Sequence, residues 1–520
     1  MEKDKATRTN CKTVVCVHTN VKDRDVIDMV KEVAKKTKIE NIILTKTEDY
    51  SSSPPAHERE EGVIWFTDLI EKYPPNPPKV DINPKKDPCL LFFTGGTTGR
   101  PKGVMLSHYN VTSCTRSSFG SNMPQSVLRL IDGFFTQVIP LPICHVYGHD
   151  FYRFGFYLGS TILTQTDPRD TKEFVRLAKK YHPVFTPASP TQYTRLVLEE
   201  GADDLGLLAM TGSTPTAPKT QEDFEKKARS VVFESLGMTG TTEATFTPTV
   251  MDTVAPMLGG RETASKVFHL LDRILNVPGV VPLLRMGMGL IGRQNLGAIV
   301  SRSMPLLSSI LPAATDKKRE LTGTCGYPLV DEEVKIIDED TGETIPIPKL
   351  VKEKLRGEIC LKGPNLMIGY WPDRGSGVDD EGYIHSGDVV TVDEAGRLSV
   401  VDRTKDMVNV SGYKVYTIEL DDLLYEYPGV YEAATIGVPD PERPGSERVK
   451  CFVTPLPEYK GKLKEEDIIG FLRDRVAKYA VPKSVEIRDE ELPKTVAEKI
   501  FKKKLRDEEI EKMKKEGVLK

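Results

Sequence analysis

The chain has 520 residues, of which 39% are hydrophobic and 28% are charged, and its net charge is −4. This length predicts roughly three to four domain-sized units, and the balanced charge gives no sign of nucleic acid as the main partner. Eight scattered cysteines without a C-x-x-C pair favour reduced thiols over a disulfide framework or a zinc site.

No targeting or spanning segment is predicted. The charged start Met1-Glu2-Lys3 is not followed by an apolar core, so we expect no signal peptide. In the most apolar region, 274–314, three arginines leave apolar runs of at most about a dozen residues, shorter than the ~20 of a spanning helix. We therefore expect a soluble, cytoplasmic protein.

The first elements alternate between strand and helix, which is typical of an α/β sheet. Residues 13–17 and 42–44 are predicted strands, and roughly 23–37 is a predicted helix between them. Residues 51–88 are rich in Ser and Pro and are interpreted as a connection dominated by loops.

A glycine-rich loop follows the apolar run Leu90-Leu91-Phe92-Phe93 and reads TGGTTGRPKG, residues 94–103. Glycines allow backbone N–H groups to turn toward an anion, and hydroxyls and a lysine add further donors. The loop differs from the P-loop of NTPases, because no Ser or Thr follows the lysine and the next segment is extended. We predict a phosphate-binding turn between two strands, with a helix starting near residue 108; a plain surface turn is the alternative.

The later part of the chain divides into three regions that differ in their predicted elements. Strands and helices alternate to about residue 250, short strands suggesting an antiparallel region follow from about 325, and a smaller α/β unit begins after Arg403. The predicted strands are 134–141, 184–186, 334–338, 357–362, 398–402, 407–410, 432–438 and 449–454, and the predicted helices are 171–181, 417–426 and 465–478. A domain boundary is placed near 402–405.

Five further segments carry polar residues that hydrophobic periodicity does not explain. His145 ends a strand-like run, Glu243 closes SLGMTGTTEA, and Asp388 ends IHSGD. Residues 402–406 are dense in charge, and Lys499 lies in a loop that begins with a proline. A carboxylate beside a phosphate loop suits Mg²⁺, but each segment alone is also explained by a structural histidine or a solvated turn.

Together, the order and spacing of these six segments resemble the adenylate-forming superfamily: acyl-CoA synthetases, adenylation domains of peptide synthetases, and firefly luciferase. The resemblance runs from about residue 88 to 500 and includes TGGTTGRPKG, GTTEA, IHSGD, VDRTKDMVNVSGYKVYTIELDDLL, GVPDPERPGSERVKCFV, AKYAVPKSVEI and LPKT through Lys499. It implies an α/β fold: a large N-terminal domain of α/β layers plus a β region (1–402), a hinge (403–405), and a small mobile α+β C-terminal domain (406–520).

The resemblance implies a set of nucleotide contacts. Residues 94–99 and Lys102 would hold the β- and γ-phosphates, and Thr242 would contact the α-phosphate. Ser213–Pro215 would flank adenine, and Asp388 and Arg403 would take the ribose hydroxyls. The implied ATP/AMP-binding residues are Thr94, Gly95, Gly96, Thr97, Thr98, Gly99, Lys102, Ser213, Thr214, Pro215, Thr239, Thr242, Asp388 and Arg403.

It also implies the chemistry, in which a carboxylic acid attacks the α-phosphate of ATP and the resulting acyl-AMP passes its acyl group to CoA. Three implied catalytic residues are Lys499, which bridges substrate carboxylate and α-phosphate, Glu243, which binds Mg²⁺, and His145, near the acyl group. Lys405 is the implied hinge residue, and Gly412 and Tyr413 line an implied CoA channel. No general base is required, because the attacking carboxylate is already ionised.

Three departures from the family pattern carry expectations. The run before the glycine loop is short, so part of the first subdomain is expected to be missing or to lie upstream. Glu498 replaces the glycine before Lys499, and we expect its carboxylate to pair with Lys499 and compete with substrate. Thr239 stands where an aromatic usually stacks on adenine, which predicts weaker nucleotide binding.

Residues 252–320 have no counterpart in the family pattern and are rich in Met, Leu and Gly. The hypothesis is that they form amphipathic helices that cover the acyl pocket or touch a membrane surface. Helices packed on the domain or at the interface of a homodimer are the alternative.

The leading function is an AMP-forming acyl-CoA synthetase for a medium- or long-chain fatty acid. A CoA ligase for an aromatic or short hydroxy acid is the second interpretation. A non-catalytic nucleotide- or acyl-binding homologue is the third, motivated by Glu498 and the short N-terminal region.

Overall fold

Parallel and antiparallel sheets succeed one another in the computed structural model, which describes residues 2–18, 20–21, 24–46, 49, 60–94, 101–122, 124–165, 167–247, 261–310, 323–495 and 497–519. The chain forms two compact units, Met1–Asn83 and Pro84–Lys520.

The first unit is a small α/β sheet whose core is Ile27, Leu44 and Trp65. Its elements are α1 (Glu2–Thr9), β1 (Thr13–Val17), β2 (Asn20–Val21), β3 (Arg24–Asp25), α2 (Val26–Ala34), β4 (Asn41–Thr45), β5 (Ile64–Trp65) and α3 (Phe66–Lys72). Strands β1, β4 and β5 are parallel in that order, which confirms the predicted α/β alternation. The prediction of a loop at 51–88 is wrong for 64–72, where a short strand and helix form, and 51–59 lie outside the described residues.

The second unit begins with the hairpin that flanks the glycine-rich loop. Strands β6 (Pro88–Thr94) and β7 (Lys102–Ser107) pair antiparallel, and α4 (His108–Asn122) follows at once. The Ser107 hydroxyl accepts from the Asn110 N–H at 3.1 Å, which caps the helix. The prediction of a turn between two strands with a helix near 108 is confirmed.

A five-stranded parallel sheet with its helices forms the largest part of this unit. Its elements are α5 (Gln125–Ile131), β8 (Thr136–Ile139), α6 (Val146–Tyr157), β9 (Thr161–Thr164), α7 (Thr171–Tyr181), β10 (Phe185–Ala188), α8 (Pro190–Leu198), β11 (Leu208–Thr211), α9 (Pro218–Ala228) and β12 (Val231–Glu234). The strand order is β12-β11-β10-β8-β9, and every observed pairing is parallel. The core between sheet and helices includes Val138, Phe174, Tyr193 and Phe224.

Next come a small sheet and three consecutive helices. The elements are β13 (Leu236–Met238), β14 (Glu243–Thr247), α10 (Arg261–Leu275), α11 (Val280–Ile291), α12 (Arg293–Ile310) and β15 (Tyr327–Pro328). Strands β13, β14 and β15 pair antiparallel. No described helix is by itself long and apolar enough to cross a membrane; α10 from Glu262 and α11 pass that test only as a pair, with a bend of 91°.

The predicted antiparallel region is confirmed. Its elements are β16 (Glu333–Ile337), α13 (Ile347–Lys352), β17 (Gly357–Lys362), β18 (Gly369–Tyr370), β19 (Asp373–Arg374), β20 (Ile384–Val392) and β21 (Leu398–Arg403). Strands β16, β17, β20 and β21 form one antiparallel sheet, while β18 and β19 extend the β6–β7 hairpin.

The remaining chain forms a small α+β layer. Its elements are β22 (Val408–Val410), β23 (Tyr413–Val415), α14 (Thr417–Glu426), β24 (Val430–Pro439), β25 (Glu447–Pro455), α15 (Glu465–Arg473), β26 (Ser484–Ile487) and α16 (Lys502–Lys515). Strands β24, β25 and β26 form its sheet, with a core that includes Leu420, Val449 and Ile468. The predicted fold class is confirmed, while the boundary at 402–405 stays a prediction because both sides lie in the compact unit 84–520.

Candidate active site

Strands β6 and β7 flank the glycine-rich loop. Thr94 and Lys102 are register partners at the ends of the two strands, so they mark the base of the turn. The Lys102 ammonium lies 4.8 Å from the centre of the Tyr370 ring, a distance at which a cation and a ring attract. Gly95, Gly96, Thr97, Thr98 and Gly99 lie outside the described residues, so their phosphate contacts stay a prediction.

The carboxyl ends of the parallel strands gather predicted residues, and one that was not predicted, Glu234, at one edge of the sheet. His145 follows β8, Ser213–Pro215 follow β11, and Glu234 ends β12. Parallel strands end at the same edge, and ligands of open α/β sheets bind there. Residues far apart in the sequence therefore share one surface.

His145 caps helix α6 and is held as a neutral imidazole. Its Nδ1 accepts a hydrogen bond from the Tyr147 N–H at 3.2 Å, so the neutral ring carries its proton on Nε2. Burial, and next to it the positive charge of Lys499, lower the pKa of His145 to about 4. The charge of Lys499 thus acts on His145, although the two residues were predicted from separate segments.

Lys499 lies in a tight loop between β26 and α16. The Thr495 N–H donates to the Lys499 carbonyl at 2.8 Å, and the Lys499 N–H donates to the Thr495 hydroxyl at 3.3 Å. A β-bridge between Lys494 and Ile500 closes the loop. These backbone contacts fix the direction in which the lysine leaves the chain.

Glu498 binds a different partner from the one expected. Its Oε2 lies 2.7 Å from Nη1 of Arg195 on α8, so the carboxylate contacts the parallel-sheet region. The cause is geometric, because the backbone of Glu498 has φ 57°, in the left-handed region that glycine adopts without strain.

Asp388 and Arg403 face each other across β20 and β21. They are register partners, and Arg403 Nε donates to Asp388 Oδ1 at 2.7 Å. The carboxylate of Asp388 raises the pKa of the Arg403 guanidinium. The structure therefore brings the two predicted ribose-binding residues together.

The proposed hinge is tied to the C-terminal layer by Asp402. This buried carboxylate accepts from the Arg403 N–H at 2.7 Å, and from the N–H and the hydroxyl of Thr417, the hydroxyl at 3.1 Å. Burial raises the pKa of Asp402 to about 6. At Lys405, burial, with the charge of Arg403, lowers the pKa of the ammonium group.

The second threonine-rich segment forms a short 3-10 turn, Thr239–Thr241, before β14. The Thr242 hydroxyl is buried and donates to the Asn365 carbonyl, so its predicted contact with the α-phosphate requires another side-chain orientation. Glu243 begins β14, but its side chain lies outside the description. Among described residues no group of three or more His, Cys, Asp or Glu is arranged for a metal ion.

Gly412 lies in the turn of the β22–β23 hairpin, and Tyr413 begins β23. Gly412 has φ 91°, a conformation that favours glycine. The Tyr413 ring stacks on Tyr479 with ring centres 4.7 Å apart and is exposed. Their role in a CoA channel stays a prediction.

Sequence reasoning missed Arg195, Glu234 and Lys502. Arg195 occupies one turn of an ordinary amphipathic helix, and nothing in its neighbours marks it. Glu234 ends a buried strand, which is a weak signal, and burial, with the charge of Asp422, raises its pKa to about 8. Lys502 is one of three successive lysines, and only its contact with buried Asp421 at 2.7 Å distinguishes it.

Comparison with known proteins identifies relatives over almost the whole chain. The AMP-binding enzyme model matches residues 6–274 and 301–371, and the AMP-binding enzyme C-terminal domain model matches residues 419–499. The family model thus matches from residue 6, well before residue 88, at which the resemblance of the motifs begins. Within 252–320, the part that the model does not match is 275–300.

Among curated relatives, a long-chain-fatty-acid--CoA ligase of Escherichia coli O6:H1 is 28% identical, over 92% of this chain and 74% of that protein. A 4-coumarate--CoA ligase-like 9 of Oryza sativa is also 28% identical, over 84% of this chain and 66% of that protein. Both are similar to this chain over the regions that hold the candidate site.

Solved structures share the fold. ATP-bound MatB from Rhodopseudomonas palustris is 22% identical with a TM-score of 0.70, covering 98% of this chain and 81% of that one. The anthranilate CoA ligase AuaEII in complex with anthranoyl-AMP is 18% identical with a TM-score of 0.72, covering 100% of this chain and 81% of that one.

Proposed function

The chain belongs to the AMP-binding enzyme family, and we propose that it activates a medium- or long-chain fatty acid as an AMP-forming acyl-CoA synthetase. It joins a carboxylic acid to AMP at the expense of ATP and passes the acyl group to CoA. The proposal is supported above all by the 2.7 Å contact of Glu498 with Arg195, which holds the loop of Lys499 against the parallel-sheet region that carries His145.

In the first step a carboxylate oxygen bonds to the α-phosphorus of ATP, and the bond to pyrophosphate breaks. Two anionic groups meet there, so a fixed ammonium group between them lowers the barrier. Lys499 is suited to this task, because hydrogen bonds to Thr495 hold its backbone at both the N–H and the carbonyl. His145 adds no competing positive charge, since its lowered pKa keeps it neutral at pH 7.

The nucleotide is proposed to contact the remaining predicted residues. Residues 94–99 with Lys102 would hold the departing phosphates, Ser213–Pro215 the adenine, and the Asp388–Arg403 pair the ribose. Mg²⁺ takes most of its ligands from phosphate and water, so a single protein carboxylate, Glu243, is a sufficient donor. When bound, Mg²⁺ supplies neutralisation of phosphate charge.

Fatty acids are favoured as substrates because several relatives at 26–29% identity are named long-chain-fatty-acid--CoA ligases. An aromatic acid is the second candidate, because a 4-coumarate--CoA ligase-like protein reaches the same identity. Glu498 was one of two reasons for considering a non-catalytic role. That reason is weaker, because the Glu498 carboxylate binds Arg195.

Pyrophosphate release from ATP and Mg²⁺ tests the proposal. We expect release to peak between octanoate and palmitate, and CoA to be converted to the thioester. Acetate, benzoate and 4-coumarate are the competing acids, and a peak on an aromatic acid would select the second candidate. No release with any acid, from a protein that still binds ATP, would leave only the non-catalytic role.

We further propose that helices α10 and α11 touch an anionic membrane surface. On α10 the large apolar side chains at positions 267, 270, 271 and 274 follow helical spacing, and each is at least 40% exposed. The apolar face comprises Val267, Leu270, Leu271, Ile274, Val277, Leu283, Leu284, Met286, Leu290 and Ile291, all exposed. Such a contiguous face on a surface helix marks an interaction site.

The charge of this segment indicates which kind of partner the apolar face binds. Residues 262–303 carry five basic and two acidic side chains, although the whole chain has a net charge of −4. One of the acids, Asp272, is turned toward Ser126 of the protein. A positively charged, apolar surface fits an anionic lipid headgroup layer, into which a long-chain acid also partitions.

Vesicle sedimentation tests the membrane contact. We expect the protein to bind phosphatidylglycerol vesicles, and Leu283→Glu with Leu290→Glu to weaken binding about tenfold. Val330→Glu, at an exposed valine outside the apolar face, should bind like the parent. Equal binding by the double variant would refute the surface, and a dimer that this variant dissociates in light scattering would assign the face to a second copy.

Cytoplasmic localisation is proposed on the state of the thiols. All eight cysteines are free, and unpaired thiols persist in a reducing compartment.

A further inference from the structure

Arg195 connects the parallel-sheet region to the loop that carries Lys499. Its Nη1 lies 2.7 Å from Glu498 and its Nη2 lies 2.9 Å from Glu491, so the two arms of the guanidinium hold two different carboxylates. Arg195 lies on α8, whose first residue, Pro190, follows β10 at the edge of the sheet that also carries His145. The contact therefore joins the two parts of the molecule that supply His145 and Lys499.

The ion pairs continue into the C-terminal layer. Lys494 Nζ lies 2.6 Å from both Glu491 and Glu432. Glu432, on β24, is buried, and it also accepts the Leu492 N–H at 2.8 Å. We call the alternating series Glu432, Lys494, Glu491, Arg195 and Glu498 the Arg195 junction.

Of the two contacts that Arg195 makes, the one next to Lys499 is the more buried. The side chains of Arg195 and Glu498 are 11% and 13% exposed, whereas Glu491 is 50% exposed. A pair removed from water is screened little by salt, and loss of one member leaves the other charge unpaired. The Arg195–Glu498 contact therefore contributes more than the Arg195–Glu491 contact.

The backbone of Glu498 also indicates a role for its side chain. A glutamate at φ 57° is strained, whereas glycine is not. The side chain that leaves this strained backbone makes a 2.7 Å hydrogen bond with Arg195.

We propose that Arg195 is a positioning residue, which through Glu498 fixes the backbone beside Lys499 and so sets the position of the lysine ammonium for adenylate formation. This inference rests on the proposed function. Arg195 acts on the reaction only through the position of Lys499, so it is not itself a catalytic group.

The inference predicts an effect on one half-reaction only. Adenylate formation brings two anions together and requires the ammonium group. In the second half-reaction the CoA sulfur bonds to the acyl carbon, the bond to AMP breaks, and the thiol proton is released. No carboxylate meets a phosphate in that step, so a misplaced Lys499 matters little.

The experiment measures the two half-reactions separately in Glu498→Gln and Arg195→Gln. Acid-dependent exchange of labelled pyrophosphate into ATP reports adenylate formation, with the acid that gives the fastest pyrophosphate release. Thioester formation from chemically prepared acyl-AMP and CoA reports the transfer. We expect exchange to fall about tenfold in each variant, and transfer to stay within twofold.

Matched variants distinguish an effect on the position of Lys499 from the effects of a lost charge and of backbone strain. Glu491→Gln removes the exposed arm of the same arginine and should lower exchange less than Glu498→Gln does. Glu498→Gly removes the carboxylate and relieves the backbone, so it should be as slow as Glu498→Gln if the ion pair is the cause. The double variant Arg195→Gln with Glu498→Gln should be no slower than either single variant.

Three results would overturn the inference: unchanged exchange in Glu498→Gln, an equal fall of both half-reactions, or additive effects in the double variant. A parent protein without exchange on any acid would instead overturn the proposed function. The melting temperatures of all variants show whether a loss of exchange activity arises from unfolding.

Discussion

The Arg195 junction and the apolar face of α10–α11 are both unexpected from the family pattern, but they differ in where their side chains find partners. In the junction each charged side chain contacts at least one opposite charge, down to buried Glu432. On the apolar face ten large side chains remain exposed, with Leu290 at 84%. The charges of the junction are paired within the chain, whereas the described residues leave the apolar side chains of the face uncovered.

This difference indicates what each region is for. Burying an unpaired charge is costly, so a complete ion-pair series specifies one internal arrangement. Exposing contiguous apolar surface is also costly, so an uncovered face points to something outside the chain. We accordingly propose that the junction sets the position of Lys499 and that the face contacts a membrane surface.

The largest effect is expected for Lys499→Ala. Removal of the ammonium group should slow pyrophosphate exchange about 10²–10³-fold, with acyl transfer from prepared acyl-AMP much less affected. Exchange kinetics on the folded variant measure this. A variant with parental exchange would show that the junction positions a residue without a role in the chemistry.

The second effect is on stability and arises from a buried pair near the junction. Lys502 Nζ lies 2.7 Å from both Asp421 and the Thr417 hydroxyl, so Lys502→Met should destabilise the protein by about 3 kcal/mol. Lys503→Met is the control, because Lys503 pairs with Asp507 at the surface. Urea unfolding compares the two, and equal stability would contradict the assignment.

A crossed measurement sharpens the comparison of the two regions. Leu283→Glu should weaken vesicle binding, and it should leave exchange with octanoate within twofold, because its side chain is exposed. Glu498→Gln should lower exchange and leave vesicle binding unchanged. A variant that alters both readouts would mean that the two regions are coupled.

The smallest effect is a pH dependence of stability. Burial, with charges of neighbouring acids, raises the pKa of Glu234 and of Asp422 to about 8 each. The folded state then holds protons that the unfolded state releases near pH 4, so stability falls as pH rises from about 4 to about 8.

We expect a melting temperature about 2 °C lower at pH 9 than at pH 6, and a smaller difference in Glu234→Gln. Glu222→Gln, at an exposed position on α9, should keep the parental difference. An unchanged pH dependence in Glu234→Gln would show that its carboxyl titrates normally.

Much of the fold was predictable because local signals agreed with the tertiary result. Helix α7 occupies the predicted 171–181, since Asp170 caps it and its apolar residues have helical spacing. Strand β5 and helix α3 were missed, because Ser and Pro before them suggested a loop throughout.

The sequence by itself determined the family, the order of the elements and the identity of Lys499, His145, Asp388 and Arg403 as candidates, because these depend on residue type and spacing along the chain. Only the tertiary structure decided that Glu498 binds Arg195, that Asp402 joins Thr417 and that the apolar face is uncovered. The physical reason is that an ion pair, or the covering of an apolar face, depends on which distant side chain lies opposite. The spacing of residues along the sequence does not specify that side chain.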